Sequence, residues 1–159
     1  IIQDTLNMVK NKETHTVLLR LNQFIPQLIQ EDLADIRNKI QLNIQTDCCI
    51  YFDEAQLRQV LINLIRNAIR HNDIDMPHIE VNIYPHEQKM WLDVRDFGQG
   101  VAIQHQASLF QPFFSTEITG TGLGLYLAHS FCEANQAQLT YVEQQRGACF
   151  RLSCQRAVL

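Results

Sequence analysis

Asp53-Glu54-Ala55-Gln56-Leu57-Arg58-Gln59-Val60-Leu61-Ile62-Asn63-Leu64-Ile65-Arg66-Asn67-Ala68-Ile69-Arg70-His71 carries two patterns at once. Leu57, Val60, Leu61, Leu64 and Ala68 recur at helical spacing and form one apolar stripe. Asp53 can accept hydrogen bonds from the first-turn N–H groups, and Gln56 follows three residues on, as in a capping box. The stretch therefore reads as a helix ending near His71-Asn72. The second pattern is polar. Asn63, Asn67, Arg70 and His71 stand at i, i+4, i+7 and i+8, which places them on one face beside the stripe. Asparagine disfavours a helix interior unless its side chain has a partner. An amide oxygen suits Mg²⁺, and a guanidinium suits phosphate. A solvated helix face accommodates the same residues equally well.

Upstream, residues 1–11 carry Ile2, Leu6 and Val9 at helical spacing, as the tail of an earlier helix would. With no initiator methionine, the chain reads as part of a longer one. Thr16–Leu21 reads as a strand. Asn22 is expected to cap a helix running to about Arg37, with Phe24, Ile25, Leu28, Ile29, Leu33 and Ile36 inward. Ile40, Leu42 and Ile44 alternate as a strand, and Ile50-Tyr51-Phe52 is another. Downstream, Ile79, Val81 and Ile83, then Met90, Leu92 and Val94, predict a hairpin. Residues 96–121 show little regular structure, and a stretch of that length is usually functional. A helix is expected over 122–135, then strands at about 138–143 and 148–154 joined at Arg146-Gly147. The alternation predicts an α+β fold, a two-layer sandwich with a mixed sheet covered by helices on one face.

Two further motifs carry chemistry. Asp96-Phe97-Gly98-Gln99-Gly100 follows a predicted strand. A carboxylate there can accept from the amino group of a flat ligand, and the glycines let backbone pass close by; Asp and Gly are equally at home in a plain tight turn. Gly120-Thr121-Gly122-Leu123-Gly124-Leu125 opens a helix, where unhindered N–H groups can hold phosphate. Leu125 stands where a dinucleotide fingerprint needs glycine, and no G-K-[ST] follows for a Walker A loop.

In this order and separation the motifs resemble the catalytic domain of sensor histidine kinases. Leu61 to Ala68 is similar to the N box, Asp96 to Gly100 to the G1 box, Leu109-Phe110-Gln111-Pro112-Phe113-Phe114 to the F box, and Gly120 to Leu125 to the G2 box. Phe113-Phe114-Ser115-Thr116 is most similar to kinases of the nitrogen-regulation and type IV pilus type. The resemblance spans about residues 16–154. It implies a Bergerat ATP-binding sandwich, shared with gyrase, Hsp90 and MutL, over residues 12–159, with residues 1–11 ending an upstream dimerisation and phosphoacceptor helix. ATP and Mg²⁺ are the implied cofactors. Asn67 would ligate the metal, supported by Asn63, and Arg70 and His71 would approach phosphates and sugar; Asn63, Asn67 and Arg70 would be the catalytic set. Asp96 would read the adenine amino group, with Gly98, Gly100, Val101 and Ile103 around the base. Thr121, Gly122, Leu123 and Gly124 would cradle the phosphates. Residues 101–119 would form a mobile ATP lid, and the Phe110–Phe114 cluster would hinge it or dock it on the histidine-bearing helices.

The implied activity is transfer of the ATP γ-phosphoryl group to a histidine on the upstream helical hairpin. A response regulator is served in turn through the full-length kinase. No histidine here has an acceptor's context, so the domain alone is not expected to autophosphorylate. Asn63 also stands where the hydrolases of the superfamily use a glutamate base, which argues against an ATP hydrolase. Residues 101–119 contain neither Lys nor Arg, which leaves a nucleotide-binding regulatory module without phosphotransfer as the alternative. With 46% hydrophobic residues, 159 residues suffice for one cored domain. A net charge of −4 disfavours nucleic acid as a partner. Five cysteines without C-x-x-C spacing suggest buried thiols in a reducing compartment. No apolar run reaches membrane-spanning length. The expected setting is the bacterial cytoplasm, at the inner end of a membrane-bound sensor, with the fragment itself monomeric and free of membrane contact.

Overall fold

A computed structural model describes residues 13–45, 47–115 and 122–158. The expected tail helix at residues 1–11, and Gly120 and Thr121 of the glycine motif, lie outside these residues. Strand β1 (Thr16–Arg20) leads into helix α1 (Leu21–Asp32), a 3-10 turn (Ala34–Lys39) and strands β2 (Ile40–Ile44) and β3 (Cys49–Asp53). Helix α2 (Glu54–His71) precedes the hairpin β4 (Ile79–His86) and β5 (Lys89–Arg95). A short helix α3 (Ile103–Gln106), helix α4 (Gly124–Ala134) and the hairpin β6 (Gln138–Glu143) and β7 (Ala148–Gln155) complete the order.

Five strands form one mixed sheet in the order β2-β4-β5-β7-β6, with β2–β4 parallel and the other pairs antiparallel. Strands β1 and β3 form a separate antiparallel pair, tied to the end of β7 by the bridge Ile50–Arg156. The period of two decides which sheet face is covered. Ile79, Val81 and Ile83 on β4, Met90, Leu92 and Val94 on β5, and Phe150, Leu152 and Cys154 on β7 are all buried in one core with Leu57, Val60, Leu61 and Leu64 of α2. Helix α2 packs against α4 across this face. On the other face Arg151 clamps the Asp93 carboxylate at 2.8 and 3.0 Å and lies 3.8 Å over the Trp91 ring. The expected two-layer sandwich is observed.

Three local expectations are corrected. The first long helix ends at Asp32, not Arg37, because the chain tightens there into the 3-10 turn that buries Ile36. Asn22 does not cap it. Asn22 is the second helical residue, and its amide instead bonds Gln45 O at 2.5 Å and Cys48 N at 2.9 Å, fastening α1 to the β2–β3 connection. The capping box at Asp53 is half formed. Asp53 accepts from Gln56 N at 2.9 Å, but the Gln56 side chain turns to Asn135 and Thr14. Asn135 supplies the missing partner, accepting from Asp53 N at 2.8 Å.

None of the five cysteines forms a disulfide, and all are buried. Burial pushes the Cys149 and Cys154 thiols up to about 12, so neither is a thiolate at neutral pH. No helix among the described residues is long and apolar enough to cross a membrane.

Candidate functional site

Helix α2 presents its polar face to a cavity of about 1060 Å³. Asn63, Asn67, Arg70 and His71 all line it, as the i, i+4, i+7, i+8 spacing predicts. Asn63 Nδ2 donates to Gly124 O at 3.2 Å, which ties the helix face to the first residue of α4. Arg70 Nη2 donates to Asn67 Oδ1 at 3.3 Å. Arg66 also lines the cavity, although nothing in its local sequence context marks it. Its guanidinium is engaged by Asp35, with both bonds at 3.2 Å, and by Asp32 O.

Asp96 forms the opposite wall, only 2% exposed. Its Oδ1 accepts from Gly98 N at 2.9 Å and from Ala148 N at 3.2 Å, while its own N–H donates to Ala148 O. Oδ2 makes no bond among the described residues. Burial pushes this carboxyl above the usual range, outweighing the two backbone N–H donors that pull it down. A buried carboxylate with one open oxygen on a cavity wall is an acceptor awaiting a donor, because leaving it unmet costs free energy.

The wall is held from behind by groups that carry no sequence signature. Asn72, just past α2, accepts from Phe97 N at 2.8 Å. Arg146 donates to Phe97 O at 3.1 Å and to Asp73 Oδ2 at 2.8 Å, so the β6–β7 turn is strapped over the Asp96 turn. The backbone N–H of Asp75, then Arg146, keep the Asp73 carboxyl below its ordinary value. Packing accounts for two glycines. A Cβ on Gly98 would stand 1.8 Å from His71 O, the last carbonyl of α2. A Cβ on Gly147 would stand 2.0 Å from Asp96 O, and Gly147 has φ +80.

Gly98, Gly100 and Val101 line the cavity, but Ile103 does not: α3 turns it outward and leaves it 79% exposed. Gly122 and Gly124 line it; Leu123 is not among the lining residues, whereas Leu125 is. Helix α4 starts at Gly124 with no side-chain cap. Of the Leu109–Phe114 stretch, Leu109 and Phe114 face the cavity. Phe110 stacks on His129 at 4.9 Å, and Phe113 is half exposed with φ 68. His105 lines the cavity from α3.

No cluster of His, Cys, Asp or Glu among the described residues could hold a metal ion. The oxygens that α2 offers are the amides of Asn63 and Asn67. That set fits Mg²⁺, which keeps several waters and is commonly held by few protein oxygens together with phosphates.

Residues 52–157 match the family of histidine kinase-, DNA gyrase B- and HSP90-like ATPases. The sensor protein kinase PilS of Pseudomonas aeruginosa is 33% identical over 163 aligned residues, covering 96% of this chain and 30% of PilS. The chain thus spans about a third or less of the length of the curated relatives it matches over nearly all its residues. Among solved structures, the nucleotide-free catalytic domain of histidine kinase ThkA superposes with a TM-score of 0.76 at 23% identity, covering 89% of this chain and 96% of that one. Full-length ShkA in complex with AMPPNP superposes with a TM-score of 0.74 at 21% identity, covering 92% of this chain and 32% of that one.

Proposed function

The chain belongs to the histidine kinase-, DNA gyrase B- and HSP90-like ATPase family and is the ATP-binding catalytic domain of a sensor histidine kinase; from that premise we propose that it holds Mg·ATP between α2, the Asp96 turn and the start of α4 and passes the γ-phosphoryl group to a histidine on an upstream helical hairpin. The reading rests on two features that meet around one cavity: the open oxygen of Asp96, and the amides of Asn63 and Asn67 on the facing helix.

In this reading the adenine amino group donates to Asp96 Oδ2, with Gly98, Gly100 and Val101 about the base. Ile103 has no part in that pocket while α3 directs it outward. Asn67 Oδ1 is the metal ligand and Asn63 supports it. Bound Mg²⁺ would neutralise charge on the transferring phosphoryl group. Arg70 leaves Asn67 Oδ1 for the phosphates, and His71 lies near the sugar. Backbone N–H groups of residues 121–124 cradle the phosphates ahead of α4. Residues 1–11 end the histidine-bearing helix, residues 101–119 close over the nucleotide, and a response regulator receives the phosphoryl group from the full-length kinase. The setting is the cytoplasmic side of a bacterial membrane sensor, where ATP is available, and the isolated domain is monomeric.

Calorimetric titration with ADP and a non-hydrolysable ATP analogue, with and without Mg²⁺, tests the site. Saturable binding that responds to Mg²⁺ and weakens about ten- to hundredfold in Asp96→Ala is expected. A folded domain that binds neither nucleotide would overturn the reading. Incubation with ATP and the separate histidine-bearing hairpin then tests transfer; binding without transfer would mark a regulatory module instead.

A further inference from the structure

Residue 101 is where the chain leaves the Asp96 turn and starts across the cavity, and both of its backbone groups are held. Val101 N–H donates to the Tyr141 hydroxyl at 3.2 Å, and Val101 O accepts from Gln106 Nε2 at 3.1 Å. The residue before it, Gly100, has φ +75. A Cβ there would lie 2.9 Å from Gly147 O and 3.6 Å from the Tyr141 hydroxyl. A glycine at a segment boundary is a natural swivel, because it lacks the steric limits that restrict other residues. The bond to Tyr141, one residue on, opposes that swivelling.

Tyr141 is itself firmly mounted. It sits on edge strand β6 opposite Phe150 of β7, and the two rings meet edge to face at 5.6 Å. Phe150 lines the cavity and meets Phe110 edge to face at 6.1 Å. Phe110 in turn stacks on His129 of α4 at 4.9 Å. One aromatic row therefore runs from the sheet to α4 and touches the segment after Asp96 twice, at Val101 through a hydroxyl and at Phe110 through a ring. Phenylalanine at position 141 would keep the row but lose the bond to Val101.

We infer that Tyr141 is a positioning residue for nucleotide retention, its hydroxyl fixing the direction in which residues 101–115 leave the adenine end of the cavity. The inference rests on the proposed nucleotide site and concerns how the segment over that site is anchored. It acts through Val101 and requires no contact between Tyr141 and the nucleotide.

Tyr141→Phe in this domain isolates the one hydroxyl. Amide hydrogen exchange over residues 100–106 is expected to speed up by about fivefold at Val101, the equivalent of one net hydrogen bond. Dissociation of a fluorescently labelled ADP, followed by stopped flow, is expected to be roughly three- to tenfold faster with little change in the association rate. Melting should fall by no more than about 4 °C, and Tyr141→Leu, which also removes the ring, should melt lower still. A Tyr141→Phe domain with wild-type exchange at Val101 and wild-type dissociation would overturn the inference and leave the ring with a packing role only. If the wild-type domain binds no nucleotide, the functional reading fails separately, and the exchange comparison still decides whether the hydroxyl restrains Val101.

Discussion

Asp96 and Asn67 face the same cavity, yet they are held in different ways. Asp96 is buried, fixed by two backbone N–H donors, with Gly147 packed directly against its carbonyl. Asn67 is half-exposed on α2, and the Arg70 guanidinium bonds its oxygen at 3.3 Å. The carboxylate wall is organised before any ligand arrives, because folding the β5–β7 pair creates it. The amide wall is organised only as far as the helix backbone goes, and in the proposed reading Arg70 gives up Asn67 Oδ1 when the nucleotide enters. Preorganised dipoles suit recognition of a fixed shape such as a base. Exchangeable partners suit a centre whose charge changes during reaction.

Cutting the weakly held wall should have the largest effect on chemistry and the smallest on the fold. Asn67→Ala is expected to lower phosphoryl transfer to the histidine-bearing helices by roughly a hundredfold or more, the scale of removing one well-placed electrostatic partner. Its melting temperature should stay close to wild type, since Asn67 lies outside the core. Transfer from γ-labelled ATP in the full-length kinase gives the readout, and near-normal transfer would remove Asn67 from the metal site. Asp96→Ala acts on the other wall. Its nucleotide affinity should drop about ten- to hundredfold, the range for a bond to a charged acceptor, with or without Mg²⁺. If the loss were confined to Mg²⁺-containing samples, the two walls would not be separable in the way argued above.

Gly147→Ala sharpens the contrast from behind. The added methyl meets Asp96 O, and the left-handed backbone at φ +80 disfavours any side chain. Destabilisation of about 3 kcal/mol is expected, or roughly 6–12 °C in melting temperature for a domain of this size. Any loss of nucleotide affinity should then track distortion at Asp96. An alanine variant that melts like wild type would mean that the β6–β7 turn is free to back away from the carboxylate.

The same contrast explains which features are legible in the sequence alone. Helix α2 was legible because its signals are local: an apolar stripe, a capping aspartate, and four polar residues at helical spacing that do share the cavity. Asp96 was legible because a carboxylate between a strand and two glycines is a compact motif. The supports of Asp96 were not. Asn72, Arg146, Gly147 and Ala148 reach it or its neighbour Phe97 only after distant segments meet, and no single one has an unusual local context. Gly98 had a visible role but not its full cause, since the carbonyl it avoids belongs to His71 on another element. Ile103 lies outside the cavity lining for a simpler reason: it sits on a short helix of four residues that leaves it exposed to solvent. The end of α1 is not legible in the sequence, because the apolar spacing continues through Ile36, which a 3-10 turn buries as well as an α-helix does.

The smallest expected effect separates recognition from stability at Asp96 by pH. Burial raises this carboxyl above its ordinary value. The ionised carboxylate is the stronger acceptor for an amino group, so nucleotide affinity should weaken as pH falls, starting above the range near 3.9 where an unperturbed aspartate titrates. Stability should respond with the opposite sign. A group whose folded-state value lies above its unfolded value binds protons more tightly when folded, so folding gains as pH drops from above the folded value toward the unfolded one. Asp35, held low chiefly by its hydrogen bond to Arg66, and Asp73, held low by Asp75 N–H, push the other way, losing their contribution as pH falls. The measurement is therefore a difference between wild type and Asp96→Asn, which keeps the shape but cannot ionise. Wild type should gain melting temperature relative to the variant between pH 7 and pH 4, while its nucleotide affinity falls over the same interval. A flat difference in melting would mean that the Asp96 carboxyl is not raised, and recognition would then persist to lower pH.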